Sequence, residues 1–506
     1  MSMAAGVRGK RDLKILFIYP NLMLQTTFPL SIAIFSAILK QRGFHTDIFD
    51  TTFYRTEEVS SDESRVENLQ IAKFNLDDEF KKLKSKDDLL RDLESKIREY
   101  RPGLIAFSVL EDLWPLTLEL LSVTGKFNIP TVAGGIFPTF APEKVIAAKG
   151  IDMVCVGEGE EPILELCDQI DNGSDYTRIP NLWVKKGGEI HKNPLRRLRD
   201  LNLNPPPDFS LFDERRFYKP MKGRLYRMGL VETNRGCPFT CAFCNSYAQS
   251  RIYQEERGER YFRSRDIGVI HDEIKLLIDR HKVEFIYFPA EVFLFMNKEY
   301  MREFVEMYKK FRLPFFCQNR AEVINEETAR LLEEMNCHGC AIGIEHGNEE
   351  FRYKMLNRKV SNDTYLKAIK CLEKTKVKVS VNNIVGFPDE TRELVFDTIN
   401  LNRNFTAYQI NAYYYTPYHG TGLREYCVTK GYIAKDAQTT YVTKDTTLSM
   451  PGLSPSAIRG LVRTFTLYAR LPKERYPEIA VAERFDEEGN RKFKELQLEY
   501  WNRYLK

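Results

Sequence analysis

The sequence predicts an α/β protein in two successive parts, a doubly wound parallel sheet and then a partial (β/α)6 barrel, followed by a small helical region. Three observations predict it. Short apolar runs alternate with helical periodicity from residue 14 to about 160, a second alternation of six strands runs from 227 to 418, and from about 431 only helical spacing remains. The expected boundaries are 11–180 for the first domain, 181–222 for a linker, 223–430 for the barrel and 431–506 for the helical region.

In the first domain, KILFIYP (14–20) is a continuous apolar run, the pattern of a strand buried on both faces. SIAIFSAILKQRGF (31–44) has helical spacing and closes on Gly43, and HTDIFDT reads as a second strand, so the chain opens as a βαβ unit. Residues 55–101 are dense in charge. They carry Leu89, Leu90, Leu93 and Ile97 on one helical face before Pro102 and are expected to form a helical insertion. Strands GLIAFSVL (103–110), PTVAGG (130–135) and DMVCVGEGE (152–160), with helices around 116–126 and 142–148, continue the alternation. A sheet of this kind binds its ligand beyond the carboxyl ends of its strands.

LRRLRDLNLNPPPDFSLF (195–212) holds three consecutive prolines, which stiffen the chain and forbid regular structure, and reads as a linker. Six strands follow, within 227–234, 284–291, 314–320, 340–347, 378–388 and 408–418. Amphipathic helices such as 264–281 and 361–375 lie between them, each opened by a serine suited to capping. Six βα units predict a partial barrel whose chemistry sits at the carboxyl ends of the strands.

The chain has 506 residues, 43% of them apolar, enough for two or three domains with their own cores. Its 75 basic and 71 acidic residues give a net charge of +4, so nucleic acid is not indicated as a partner. No uncharged run reaches the ~18 residues that span a bilayer, and the first residues lack a small-residue cleavage pattern. Ten cysteines in so long a chain are too sparse for a disulfide scaffold, and a reducing, cytoplasmic compartment is expected.

Three of those cysteines, Cys237, Cys241 and Cys244 in NRGCPFTCAFCNSY, fall within eight positions just after the first barrel strand. Thiolates so close can converge on one metal centre. A structural zinc site would need a fourth protein ligand, and no CxxC or CxxH follows at a zinc-ribbon distance. An iron–sulfur cube has four irons, so three cysteines leave one iron for an outside ligand. The CxxC at Cys337 and Cys340 lies at the entry of a strand, away from the carboxyl ends. It reads as buried small residues, as do Cys155, Cys167, Cys317, Cys371 and Cys427.

CPFTCAFC resembles the CxxxCxΦC signature of the radical S-adenosylmethionine (SAM) superfamily, with Phe243 at the aromatic position. The resemblance implies a [4Fe–4S] cluster on Cys237, Cys241 and Cys244, with the amino and carboxylate groups of SAM on the remaining iron. IYFPAEVF (286–293) is similar to the second-strand element that holds the methionine amino group, which implies that role for Glu291, although Pro289 and Ala290 depart from the usual residues. GIEHG places Glu345 toward the cofactor, and IVGFPDET implies backbone contacts to adenine from Gly386 and Phe387. YTPYHGTGL resembles the sixth-strand turn, with His419 in place of a proline. Arg320, ending the third strand, could hold the SAM carboxylate or pair with a barrel-mouth carboxylate. Glu291 and Glu345 could themselves be such paired carboxylates. Tyr415, Tyr418 and His419 could line the substrate, and the tyrosines could equally be packing.

The first domain has no GxGxxG, so a dinucleotide is not expected. Ser108 and Leu110 (SVL), Gly134 and Gly135, and Gly157, Glu158 and Gly159 lie instead at its strand ends. These resemble the elements of Rossmann-like cobalamin-binding domains, in particular those of cobalamin-dependent radical SAM enzymes. The loop after the first strand, YPNLMLQTTFP, lacks the DxHxxG histidine, which implies cobalt without a histidine ligand from this domain. The family implies methylation of an unactivated carbon through a 5′-deoxyadenosyl radical and methylcobalamin. Ring formation or rearrangement without methyl transfer, and a non-catalytic cobalamin module, are the alternatives. An electron donor such as flavodoxin or ferredoxin is implied as partner. The substrate, whether a small molecule, a lipid or a peptide, is not ranked by the sequence.

Overall fold

A computed structural model describes residues 11–74, 80, 82–221 and 223–504. The chain divides into two compact units. One comprises Met1–Ser60, Leu76–Tyr218 and Ala248–Tyr261, and the other Ser61–Asn75, Lys219–Tyr247 and Phe262–Lys506.

The first unit is a seven-stranded sheet. Its strands are β1 (Lys14–Tyr19), β2 (His45–Asp50), β3 (Leu104–Ser108), β4 (Thr131–Gly134), β5 (Met153–Cys155), β6 (Leu182–Lys186) and β7 (Glu189–Lys192), in the order β2-β1-β3-β4-β5-β6-β7. The first five run parallel. Ile15, Leu16, Ile18, Leu104, Ile105 and Val154 are wholly buried, as expected where helices cover both faces.

Two expectations change here. The stretch 181–222 is not a linker at its start, because β6 pairs antiparallel with β5 and β7 antiparallel with β6. Gly187 and Gly188, both at positive φ, make the two-residue turn between β6 and β7, a Gly-Gly hairpin signal that KKGGEIHK already carried. Further on, the fully buried Arg216 pairs with Asp50 at 2.6 Å and donates to the Thr27 carbonyl at 2.6 Å, so the proline-rich stretch is fastened to the unit. Nor is 55–101 simply an insertion. Lys86–Tyr100 is the crossover helix leading to β3, and Leu89, Leu93 and Ile97 lie in the same core as Leu16, Ile18 and Ile105. Ser85 opens it with a full capping box, its side chain and that of Asp88 bonding each other's backbone N–H.

The second unit is built on β8 (Tyr218–Met221), β9 (Arg224–Leu230), β10 (Asn234–Arg235), β11 (Arg263–Ser264), β12 (Phe285–Tyr287), β13 (Phe315–Asn319), β14 (Cys337–Glu345), β15 (Lys378–Val385) and β16 (Gln409–Tyr414). The main sheet runs β16-β15-β14-β13-β12-β9-β8, with β9 through β16 parallel, and curls as a half-barrel. β10 and β11 form a separate antiparallel pair. Ser264 therefore belongs to a strand, and the helix Ile267–His281 starts after Asp266 without a side-chain cap. Ser361 does cap the helix Asn362–Glu373, accepting from the Thr364 N–H.

A half-barrel leaves an open edge, and the exposed backbone groups of β16 need partners. Ile410 O accepts from Thr466 Oγ1 at 3.3 Å, Ala412 O from Gln70 Nε2 at 2.6 Å, and Tyr414 N donates to Val442 O at 2.9 Å. The segment 61–75, sequence-adjacent to the first sheet, thus closes the second. The helical region expected after residue 431 contains Pro455–Arg470, Tyr476–Ala482 and Glu487–Tyr504. No helix among the described residues is long and apolar enough to cross a membrane.

Leu93→Ala should destabilise the first unit by about 3 kcal/mol, the usual cost of emptying a buried leucine site. A side chain on a loosely attached insertion would cost far less, and urea unfolding distinguishes the two.

Candidate functional site

The loop Gly236–Cys244 follows β9 at the carboxyl end of the half-barrel and has almost no secondary structure of its own. Its shape is imposed by neighbours. Ala242 N donates to Leu356 O at 3.0 Å, Ala242 O accepts from Leu423 N at 3.2 Å, and Asn357 Nδ2 donates to Thr240 O at 2.9 Å. Asn245 Nδ2, at the start of the next helix, donates to His419 O at 2.8 Å, which ties the sixth-strand turn to the cysteine loop.

Burial pushes the Cys237 thiol up to about 12 and raises Cys244 as well, and the neighbouring Cys241 and Glu291 push both the same way. Three neighbouring sulfurs, Cys241 buried and Cys237 and Cys244 half-buried, fit a cationic metal centre, which binds them as thiolates. Cys241 is turned to two guanidinium groups, accepting from Arg320 Nη1 at 3.0 Å and Arg358 Nη1 at 3.7 Å. Among the described residues no three His, Cys, Asp or Glu side chains are closed into a metal-ligand set. The donor set still suits a cluster anchored by three cysteines, and binding one would exchange the arginine contacts of Cys241 for iron.

Glu291 lies beside this loop. One carboxylate oxygen accepts from Ser246 Oγ at 2.7 Å, and burial raises it above the usual carboxylate range. Glu345 sits at positive φ (66°) on a β-bulge, with Arg358 Nη1 at 3.8 Å, and burial raises it too against the pull of Arg358 and Arg320. Arg320 stacks over Phe239 at 3.9 Å and pairs with Glu322, so it is a shared partner of carboxylate and thiol. Phe243 meets Phe387 edge-on at 5.7 Å, and Phe387 touches the buried Tyr415 at 5.0 Å. Gly386 N and Phe387 N both donate to Glu390 Oε2, at 2.5 and 3.1 Å. Tyr418 and His419 are partly exposed on the turn. Sequence reasoning missed Ser246, Arg358 and Glu390. Arg358 lies eleven positions past the end of the GIEHG stretch, and only folding brings it back.

In the first unit the expected glycines crowd the carboxyl ends of β3, β4 and β5. Gly135 has φ 118°, and a Cβ there would fall 2.6 Å from Val109 O. A Cβ on Gly157, at φ 82°, would collide with the Tyr253 hydroxyl, which accepts from Glu158 N at 2.9 Å. Gly157 N donates to Thr139 Oγ1 at 3.0 Å, and Asn181 Nδ2 bonds Val156 O and Glu158 O. Ser108 pairs in register with Gly134. Leu110 and Ile136, each 38% exposed, leave an apolar rim beside these backbones. Close-set backbone next to exposed apolar groups fits a large flat ligand such as a corrin. Tyr253, Thr139 and Asn181 were not legible beforehand, since each acts only by holding backbone.

The fold and the cysteine loop define a radical SAM domain joined to a corrinoid-binding sheet. Comparison agrees: the Radical SAM superfamily profile matches residues 231–401, and the B12 binding domain profile matches 23–167. An uncharacterized methyltransferase of Pyrococcus horikoshii is 25% identical over 414 residues, covering 80% of this chain and 86% of its own. The anaerobic magnesium-protoporphyrin IX monomethyl ester cyclase of Rubrivivax gelatinosus is 26% identical over 346 residues, 66% of this chain, which spans 60% of that protein. The solved radical SAM methyltransferase TsrM of Kitasatospora setae superposes with a TM-score of 0.62 at 17% identity, covering 82% of this chain and 76% of TsrM, a likeness of fold. The chain thus carries a radical SAM domain and a B12 binding domain. Its two domains imply a [4Fe–4S] cluster, SAM and cobalamin.

Because the folded-state pKa of Glu291 lies above its ordinary 4.5, the native protein holds a proton that the unfolded chain releases. Stability is therefore lost as pH rises through that window. Glu291→Gln should raise the Tm of the metal-free protein by roughly 2–4 °C at pH 7 and change it little below pH 4.5, as calorimetry across pH would show.

Proposed function

We propose that the enzyme is a methyltransferase that places a methyl group on an unactivated carbon. The observation that carries this reading is the presence in one chain of a three-cysteine loop at a half-barrel mouth and a corrinoid-type sheet, with a named methyltransferase matching along most of both chains. When bound, the cluster and SAM supply the hydrogen-abstracting radical and cobalamin carries the methyl group.

The chain's own residues bind and orient. Cys237, Cys241 and Cys244 hold the cluster. Glu291, fixed by Ser246, takes the SAM amino group, and Glu345 and Arg358 form a polar wall beside it. Arg320, which now donates to Cys241, would hold the SAM carboxylate. The Gly386–Phe387 backbone, clamped by Glu390, meets adenine, with Phe243 closing its edge. Ser108, Leu110, Gly134, Gly135, Gly157, Glu158 and Gly159 hold cobalamin, and Tyr418 and His419, partly exposed on the sixth-strand turn, are assigned to the substrate, with Tyr415 packed behind them on Phe387. A small reduced electron carrier of the flavodoxin or ferredoxin class serves it, in a reducing cytoplasm.

The cyclase relative favours a second reading, ring formation without methyl transfer. Anaerobic turnover with methyl-labelled SAM separates the two, since label in the product supports methylation and 5′-deoxyadenosine without transfer supports rearrangement. Cobalamin bound without iron and without deoxyadenosine would indicate a carrier.

Replacing Cys237, Cys241 and Cys244 together by alanine should abolish the absorbance near about 410 nm of anaerobically reconstituted protein and its iron content. Cobalamin binding should persist. Gly157→Ala should do the reverse, lowering cobalamin retention by about tenfold or more while iron stays at wild-type level.

A further inference from the structure

Three consecutive residues after the helix Glu349–Lys354 each address one residue of the cysteine loop. Leu356 O accepts from Ala242 N at 3.0 Å, Asn357 Nδ2 donates to Thr240 O at 2.9 Å and to Thr240 Oγ1 at 3.0 Å, and Arg358 Nη1 donates to Cys241 Sγ at 3.7 Å. Leu356–Asn357–Arg358 thus faces Thr240–Cys241–Ala242, one tripeptide against another. The other two sulfurs are addressed from inside their own turns, by the backbone N–H groups of Phe239 and Ser246. Cys241 takes its donors from outside the loop.

The match depends on one backbone feature. Asn357 stands at φ 49°, in the left-handed region that glycine enters freely and asparagine tolerates. The residues around it are anchored. Arg358 N donates to Arg352 O at 3.1 Å and closes the turn, Leu356 is wholly buried, and the Arg358 guanidinium donates to Tyr365 OH at 3.0 Å and to Gly343 O of β14. Of the six facing residues, Asn357 and Thr240 are the exposed ones. Glycine would satisfy the backbone at lower cost, so what asparagine adds at this position is its amide.

Resting on the assignment of the cluster to Cys237, Cys241 and Cys244, we infer that Leu356–Asn357–Arg358 is a clasp on the cluster loop and that Asn357 is the positioning residue that sets how slowly a loaded cluster gives up its iron. Iron is lost when the loop opens and a thiolate swings away from it. The loop meets solvent at Thr240, next to the buried Cys241, and Asn357 closes that side. Its amide engages a carbonyl and a hydroxyl, so it does not compete with iron for sulfur, as the Arg358 contact does.

The test uses the full chain, reconstituted anaerobically with iron and sulfide and then challenged with excess bathophenanthroline disulfonate, a ferrous chelator. Asn357→Gly keeps the left-handed backbone and loses the amide, while Asn357→Asp keeps the side-chain length and loses the donor. Both should release iron roughly fivefold faster than wild type, the effect of one ordinary hydrogen bond. The Tm of the cluster-free variants should stay within about 3 °C of wild type, and their cobalamin retention should not change, which a general loosening of the fold would not allow. The inference is overturned if either variant releases iron less than about twofold faster, since an effect of glycine alone would mean backbone freedom and not the amide. It is also overturned if the cluster-free Tm falls by more than about 3 °C. Wild-type loading judges the cluster assignment separately: a wild type that takes up no iron removes that assignment and the clasp with it.

Discussion

The chemistry assigned to this chain depends on three sulfurs held in one shape by backbone that is not theirs. A nine-residue loop free of regular hydrogen bonding is costly to order. Here Leu356, just after the helix Glu349–Lys354, and the first turn of the helix Gly422–Thr429 take the amide and the carbonyl of Ala242, one of the two residues between the second and third cysteines. Because these bonds engage backbone, they fix the path of the loop while leaving the thiols free to turn toward iron. The two arginines on Cys241 fit the same logic, offering positive charge to a sulfur that must be an anion when it ligates.

A second buried tie sets the rim. Glu390, wholly buried, takes two backbone N–H groups of the turn after β15 and lies 3.0 Å from His346 Nε2 of the loop after β14. His346 Nδ1 accepts from Asn348 N, which turns Nε2 toward the carboxylate. The approach is close but poorly aligned, and neither atom completes a regular hydrogen bond, so the contact is better described as electrostatic. With His346 stacked on Phe351 at 4.3 Å and Phe351 6.3 Å from Phe387, the two loops pack against each other through their rings.

What the sequence made legible follows from what periodicity reports. Apolar runs marked β1, β3, β4 and the main strands of the half-barrel because burial on a pleated or helix-covered face writes itself into residue choice. The cysteine spacing was legible because metal chemistry fixes it locally. The helix Lys86–Tyr100 was read as a helix but assigned to an insertion, since periodicity shows that a face is buried and not against what. The β6–β7 hairpin was passed over because lysines, glycines and prolines around it weigh toward loop, although its Gly-Gly turn was in plain view. Ser246, Arg358, Glu390 and Tyr253 leave no sequence signal at all, because their roles are set by distance across the fold.

The same limit explains why sequence order and structural membership disagree. Residues 61–75 fall inside the matched B12 binding region of 23–167, yet they belong to the second unit and supply the bond that Ala412 O needs. Conversely, Ala248–Tyr261 falls inside the radical SAM match yet belongs to the first unit, where the Tyr253 hydroxyl takes the Glu158 N–H. Each unit is finished by a strand-end or edge contact that the other's stretch of chain provides. An open sheet edge and an unpaired loop amide are both costly. Neither unit, cut at the proline-rich stretch, would retain its full set of backbone partners. The two units are thus interleaved in sequence, and neither is a contiguous piece of the chain.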